Sequence, residues 1–442
     1  ADGVLVGHGP AIRARHHAHP VRPQHVNFIR QMILARTDTA RKIRAAMADN
    51  LAPGAPLIAE TGGLNAMIVD STALPEQAVQ AIVESAFQSA GQRCSALRCL
   101  YVQEDIADSF IEMLTGAMDA LRLDKPWHLH TDVGPVIDAE AQQSIDAHIQ
   151  TARAEGRLIH ELKTPNAGTF IAPTLIKVNG INDLEREIFG PVLHLATYKA
   201  GQLDRVIEDI NGTGYGLTFG LQTRIDDRVQ HVTERVHVGN MYVNRNQIGA
   251  IVGSQPFGGE GLSGTGPKAG GPHYLARFTR PGTPEQGGEW SEEMGESDLS
   301  KALARANVGQ EMRLDDIVLP GPTGESNRLG TYRRPALLCL GPGAEAAKAQ
   351  ANAVRDLGGA AVEATGHVGP DLLSRLDGMS GAIWWGDAET GRNYAQALAQ
   401  RDGPILPLVT GQPDKGHVCH ERHVCVDTTA SGGNAALLGG MS

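Results

Sequence analysis

Two short segments 34 residues apart carry the residue types that acyl chemistry needs, Glu60-Thr61-Gly62-Gly63 and Gly91-Gln92-Arg93-Cys94. A thiol becomes a nucleophile on losing its proton, and a carboxylate within reach of a water can act as general base. Cys94 lies at the end of an apolar helix marked by Ala78, Val79, Ile82, Val83, Ala86 and Phe87, all on one face at helical spacing. After Ala90-Gly91 the backbone can turn sharply and present the sulfur to a cleft. Arg93 favours a thiolate if its guanidinium faces that sulfur. Taken singly, a cysteine after glycine is most often a small buried residue, and a strand-end carboxylate is most often solvated. The pairing carries the reading.

These residues need a scaffold, and the patterning supplies one. Helix is expected over 39–50, a short buried strand over 56–59, and a strand over 97–102 after the cysteine. Helices over 107–121 and 139–155, a strand over 172–178, a helix over 203–210, a strand over 217–223, a helix over 226–236 and a strand over 240–244 follow. Strands separated by helices of this length imply right-handed crossovers and a largely parallel sheet. Gly and Pro cluster at 253–283, an acidic, polar linker is expected over 286–300, and a smaller alternation follows. It has strands over 336–340, 381–385 and 405–409, with helices over 344–357 and 390–401. The fold class is therefore α/β.

Composition narrows the chemistry. The chain of 442 residues is 41% hydrophobic and carries a net charge of −11, which argues against a nucleic-acid partner. No apolar run is long enough to span a bilayer. Five widely spread cysteines suit reduced thiols in the cytoplasm better than a disulfide framework. Residues 1–50 are set apart, with 8 Lys+Arg against 3 Asp and five of the 17 histidines. The run Gly258–Gly271 fails as a phosphate loop, because Pro267 follows Gly266 where lysine is required. Neither the histidines of the head nor the group His417, Cys419, His420, His423 and Cys425 has the paired spacing of a zinc site, so no metal is expected.

With two further segments the sequence resembles the aldehyde dehydrogenase superfamily. Glu187-Ile188-Phe189-Gly190-Pro191-Val192 matches its E-x-F-G-P-V segment, and Pro256-Phe257-Gly258-Gly259 with Ser263-Gly264 matches its P-F-G-G-x-x-x-S-G loop. Within the superfamily it is similar to the L-glutamate-γ-semialdehyde (Δ1-pyrroline-5-carboxylate) dehydrogenase branch, in the C-terminal part of bifunctional proline-utilisation enzymes. The runs Ser89–Arg98, Thr213–Gly220 and Gln255–Pro272 carry that likeness. Leu319–Glu325 and Val426–Leu437 extend it to the end of the chain.

The resemblance implies a role for each matched residue. Cys94 would be the nucleophile, passing through a thiohemiacetal and a thioester, and Glu60 the base for thioester hydrolysis. Glu187, Phe189, Thr61 and Gly62 would hold the nicotinamide end of NAD. Ser95, Arg93, Gly249, Ala250 and Phe257 would hold glutamate semialdehyde, the two backbone amides of Gly249 and Ala250 facing its α-carboxylate. It also implies a homo-oligomer and a proline dehydrogenase domain upstream in the native protein.

The pattern departs from the family at the front. Fewer than sixty residues precede Glu60, so the Rossmann-type NAD-binding portion is expected to be truncated. Ala35 and Arg36 stand where its Phe-Thr-Gly-Ser turn has Gly and Ser, which weakens a helix N-terminus as a pyrophosphate site. The expected division is an atypical basic head over 1–36, read as the product of a shifted reading frame or a faulty gene model, and a remnant of the NAD-binding domain over 37–93. A catalytic domain over 94–285 and, past the linker, a C-terminal α/β unit over 301–442 complete it. The alternative is a catalytically inactive remnant or assembly module.

Overall fold

The computed structural model describes residues 31–34, 37–279 and 285–429. β1 (Gln31–Leu34) and α1 (Thr37–Asn50) precede β2 (Leu57–Glu60), the strand that ends on the candidate base. β3 (Ala66–Val69), α2 (Pro75–Phe87) and β4 (Cys99–Gln103) surround the cysteine turn. Then come α3 (Ala107–Asp119), α4 (Ala139–Ala154), β5 (Leu158–Glu161), β6 (Thr174–Lys177) and β7 (Val192–Tyr198). α5 (Leu203–Gly212), β8 (Tyr215–Gly216), β9 (Thr218–Gln222), α6 (Asp226–Thr233), β10 (Asn240–Val243), β11 (Glu260–Gly261) and α7 (Ala276–Thr279) lead to the second half. There α8 (Glu296–Ala306), β12 (Arg313–Leu319), β13 (Glu325–Arg333), β14 (Ala336–Cys339), α9 (Gly343–Asp356) and β15 (Ala361–Glu363) are followed by α10 (Pro370–Arg375), β16 (Met379–Ile383), α11 (Ala388–Ala399), β17 (Leu408–Val409), α12 (Lys415–Val418) and β18 (Cys419–Asp427).

A ten-stranded sheet in the order β12-β13-β18-β10-β9-β3-β4-β7-β6-β5 is the platform of the site. Its seven inner strands, β18 to β6, run parallel, as the alternation of strands and helices predicts, and antiparallel pairs close both edges. Side chains alternate between its faces. Met67, Val69, Leu100 and Val102 face one way, onto Ile82 and Phe87 of α2, Leu114 of α3 and Ile149 of α4. Ala66, Ile68, Tyr101 and Phe219 face the other way, onto Ile207 and Ile210 of α5 and Val232 of α6. Burying each such aliphatic side chain stabilises by about 1.5–3 kcal/mol, so the central strands cannot slip register.

A second, four-stranded parallel sheet, β15-β14-β16-β17, forms the smaller α/β unit expected near the C-terminus. α9 covers one face through Ala351 and Val354, and α8, α10 and α11 cover the other through Leu303, Leu373 and Leu398. The large sheet runs across the expected divisions. β3, from residues assigned to the cofactor remnant, is a central strand, and β12, β13 and β18, from the C-terminal unit, complete one side. α8 begins inside the expected linker. Gln31–Leu34, placed with the basic head, pair in parallel with β2. Ala35 and Arg36, like most of the head and the tail beyond residue 429, lie outside the described residues.

Candidate active site

The cysteine turn is built from left-handed backbone. Ser89, Ala90 and Gly91 have φ values of 56°, 54° and 64° in succession, reversing the chain between α2 and Cys94. Only glycine adopts this conformation freely, so Ser89 and Ala90 hold strain of about 1–3 kcal/mol each that the surrounding packing must offset. A Cβ at Gly91 would also stand 2.2 Å from the carbonyl of Gly190. Asn65, just before β3, fixes the far side of the turn, its Nδ2 donating to the carbonyls of Cys94 (2.7 Å) and Ala96 (2.9 Å).

Arg98 ties this turn to Glu187. Its fully buried guanidinium donates from Nε (3.2 Å) and Nη2 (3.0 Å) to Oε1 of Glu187. It also reaches the carbonyls of Gly91 (2.7 Å), Arg93 (3.1 Å) and Gly190 (3.3 Å). Glu187 is thereby pressed onto Gly62, where a Cβ would lie 2.1 Å from Oε2 and leave no room for a side chain. Phe189 is 41% exposed, with the Arg98 guanidinium 5.2 Å from its ring centre.

Cys94 is half-buried, and the other four cysteines are buried. Burial pushes its thiol pKa up, and the negative charge of Glu187, with that of Glu60 once ionised, pushes it further, which puts both carboxylates within electrostatic reach of the sulfur. Arg93 does not assist. Its Nε donates to Ser89 Oγ at 3.1 Å, and burial and the two carboxylates set the direction of the thiol's shift. The resting group is therefore a protonated thiol at neutral pH. Glu187→Gln removes the larger of the two opposing charges, so iodoacetamide is expected to alkylate Cys94 severalfold faster in that variant at pH 7. Mass spectrometry of the labelled peptide measures it, and an unchanged or slower rate counts against this electrostatic account.

Glu60 ends β2, and burial pushes its carboxyl up to about 8; the Gly259 amide and Lys268 pull it down, and Glu421 pushes it up. Its Oε2 accepts the Gly259 N–H at 3.0 Å, whereas Oε1 is buried without a hydrogen-bond partner among the described residues. That leaves one acceptor for a water. Lys268 donates from Nζ to Asn240 Oδ1 (2.7 Å) and to the carbonyl of Gly258. The peptide joining Gly258 to Gly259 thus receives a lysine on its oxygen and offers its N–H to Glu60. Glu421, on β18, accepts the Lys268 backbone N–H at 2.8 Å.

Of the residues expected to meet substrate, Gly249 has φ +75° and lies beside Arg93, whose Nη1 is 3.9 Å from where a Cβ would stand. The backbone amides of Gly249 and Ala250 make no hydrogen bond among the described residues. Two free N–H groups next to a guanidinium form a small anion receptor. Ser95 is buried behind Cys94, its carbonyl accepting from Thr218 Oγ1 (3.1 Å) and Gln247 Nε2 (3.2 Å). Phe257 is held by a reciprocal backbone pair with Ala269, 3.0 and 2.9 Å. Thr61 is anchored to the glycine-rich loop, its N–H on the Ser263 carbonyl at 2.9 Å.

Sequence reasoning gave no role to Arg98, Asn65, Lys268 or Glu421. Arg98 lay inside the quoted run after Cys94, and an arginine directly before a buried strand was a usable signal. His417, Cys419, His420, His423 and Cys425 belong to α12 and the strand β18, whose alternation separates His420 from Cys419, His423 and Cys425.

A cysteine within electrostatic reach of two carboxylates, carried on a largely parallel α/β scaffold, offers the groups that covalent thiol chemistry needs. The aldehyde dehydrogenase family profile matches residues 10–283, and the chain belongs to that family. The match begins inside the basic head, so the change in charge does not mark its edge. The chain is similar to bifunctional protein PutA of Salmonella typhimurium, 41% identical over 442 residues that cover 87% of this chain and 33% of the relative. It spans about a third of the length of the curated PutA relatives it matches. Among solved structures, a Bradyrhizobium japonicum proline utilization A (PutA) variant is 55% identical with a TM-score of 0.55, covering 56% of this chain and 25% of that one. A 1-pyrroline-5-carboxylate dehydrogenase from Thermus with bound NAD is 35% identical with a TM-score of 0.52, covering 56% and 48%. Among the described residues no helix is long and apolar enough to cross a membrane.

Proposed function

We propose that the chain is the L-glutamate-γ-semialdehyde dehydrogenase part of a PutA-like protein, oxidising the semialdehyde to L-glutamate with NAD. The observation that carries this reading is Cys94 within electrostatic reach of both Glu187 and Glu60, with Arg93 close to Gly249. In the proposed reaction the Cys94 sulfur bonds to the aldehyde carbon and the thiol proton leaves. Bound NAD would supply the hydride acceptor, held at its nicotinamide end by Glu187, Phe189, Thr61 and Gly62. Loss of hydride leaves a thioester on Cys94. Water then adds to the thioester, gives its proton to Oε1 of Glu60, and glutamate departs as the C–S bond breaks. Gly249, Ala250 and Arg93 would take the α-carboxylate, Ser95 would line the pocket, and Phe257 would pack on the aliphatic part.

NADH absorbance on addition of the semialdehyde tests this directly. Weak turnover by the chain that disappears in Cys94→Ala supports this reading. A second reading rests on one observation: the chain spans about a third of the length of the PutA relatives it matches. A folded chain that binds no NAD in a calorimetric titration supports a non-catalytic remnant or assembly module instead. A proline dehydrogenase domain upstream and assembly into a homo-oligomer belong to the same proposal.

A further inference from the structure

A cavity of about 90 Å³ lies away from Cys94, between α1, β2, β17 and α12. Three guanidiniums line it, from Arg44, Arg277 and Arg334, together with His417 and one carboxylate, Asp414. Arg44 is 5% exposed, its Nη2 reaches only the Leu406 carbonyl at 3.3 Å, and its buried Nε has no partner among the described residues. Arg334 donates to two neutral carbonyls, those of Cys419 (2.9 Å) and Thr265 (3.0 Å). Asp414 is shared between Arg277, 3.9 Å away, and His417, 2.9 Å away. Glu260 and Glu421 also act on Arg334, but Arg422 engages the first and the Lys268 amide the second.

Burying a cation without a counter-charge is costly, and burial indeed holds the pKa of Arg44 and of Arg334 below the usual arginine value. Burial also lowers His417 to about 4, so it is neutral at pH 7. Three guanidiniums against one carboxylate leave an excess of two positive charges. The segments outside the described residues carry a single acidic side chain, Asp2. Among the side chains lining the cavity positive charge thus exceeds negative, which favours an anion there.

We propose that this cavity binds a small, doubly charged tetrahedral oxyanion, with Arg44 and Arg334 as its principal donors. Hydrogen phosphate has the matching charge, and its oxygens suit guanidinium forks. The source is either free phosphate or the phosphate group of an ester.

Calorimetric titration of the full chain with inorganic phosphate, against sodium chloride at matched ionic strength, tests the site apart from simple screening. One saturable phosphate per chain is expected, with at least ~10-fold weaker binding in Arg44→Gln and in Arg334→Gln, as for loss of a charge-assisted hydrogen bond. Arg375→Gln, at an exposed pair with Glu296, is expected to bind as the parent chain does. Circular dichroism confirms that each variant is folded, and Arg44→Gln alone suffices if Arg334→Gln is not. Competition by ribose 5-phosphate identifies the esterified source, and its failure identifies free phosphate. No saturable binding above the chloride control, or full binding by folded Arg44→Gln, overturns the proposal.

Discussion

Glu60→Gln is expected to acylate normally and then stall. With p-nitrophenyl acetate, an activated ester that needs no hydride acceptor, the Cys94 sulfur displaces p-nitrophenolate and keeps the acetyl group. Release of the acetyl requires a water and a base. The glutamine keeps an oxygen for the Gly259 N–H but cannot take a proton, so deacylation should slow by about 10²–10⁴-fold, the usual worth of a placed general base. The trace then shows one p-nitrophenolate per chain followed by a nearly flat line. In the parent chain the deacylation rate should climb with pH and level off above about 8, because burial holds the Glu60 carboxyl there. The glutamine variant loses that limb. The same shift has a stability sign. Between the ordinary carboxylate range and about 8, folded Glu60 keeps a proton that the unfolded chain has released, so its contribution to stability falls as pH rises across that interval. Deacylation of Glu60→Gln at the parent rate would remove Glu60 from the proposed mechanism.

The motifs that exposed Glu60 and Cys94 are local, each set by a turn that constrains its neighbours in sequence. Gly91 must be glycine for the left-handed turn, and the spacing of Ala78, Ile82 and Ala86 writes α2 directly into the chain. Residues that act across the sheet leave no such mark. Arg98 and Glu187 stand 89 positions apart in sequence, and Lys268 and Glu421 stand 153 apart, so only the folded sheet joins them. β12, β13 and β18 went unread because polar residues fill them. Cys-His-Glu-Arg-His-Val-Cys-Val-Asp has no clean alternation of apolar and polar types, yet it pairs with β13 over nine positions, from Glu325 with Asp427 to Arg333 with Cys419. Its polar side chains are buried because they pair with β13 and with the glycine-rich loop. Arg422, for example, makes a two-pronged contact with Glu260 at 2.9 and 2.7 Å. A hydrophobicity pattern cannot report a strand whose burial is compensated by charge.

Arg98→Met is the substitution expected to cost the fold most. It removes a fully buried guanidinium that neutralises Glu187 and satisfies three backbone carbonyls on both sides of the cysteine turn. Breaking such a pair by deleting one partner costs about 3–5 kcal/mol. That is a large part of the roughly 5–15 kcal/mol by which a domain is stable. Arg98→Lys should rescue little, since an ammonium lacks the planar fork that reaches these acceptors together. Arg98→Met with Glu187→Gln should recover part of the loss, the recovered part measuring the pair itself in a double-mutant cycle. Denaturant midpoints give these numbers. The thiol supplies an independent readout, because Glu187 freed from Arg98 opposes thiolate formation more strongly. Arg98→Met should therefore alkylate at Cys94 more slowly than the parent chain, whereas Glu187→Gln alkylates faster. A variant within about 1 kcal/mol of the parent, the range of ordinary surface pairs, and unchanged in alkylation would mean that Arg98 neither holds the turn nor positions Glu187.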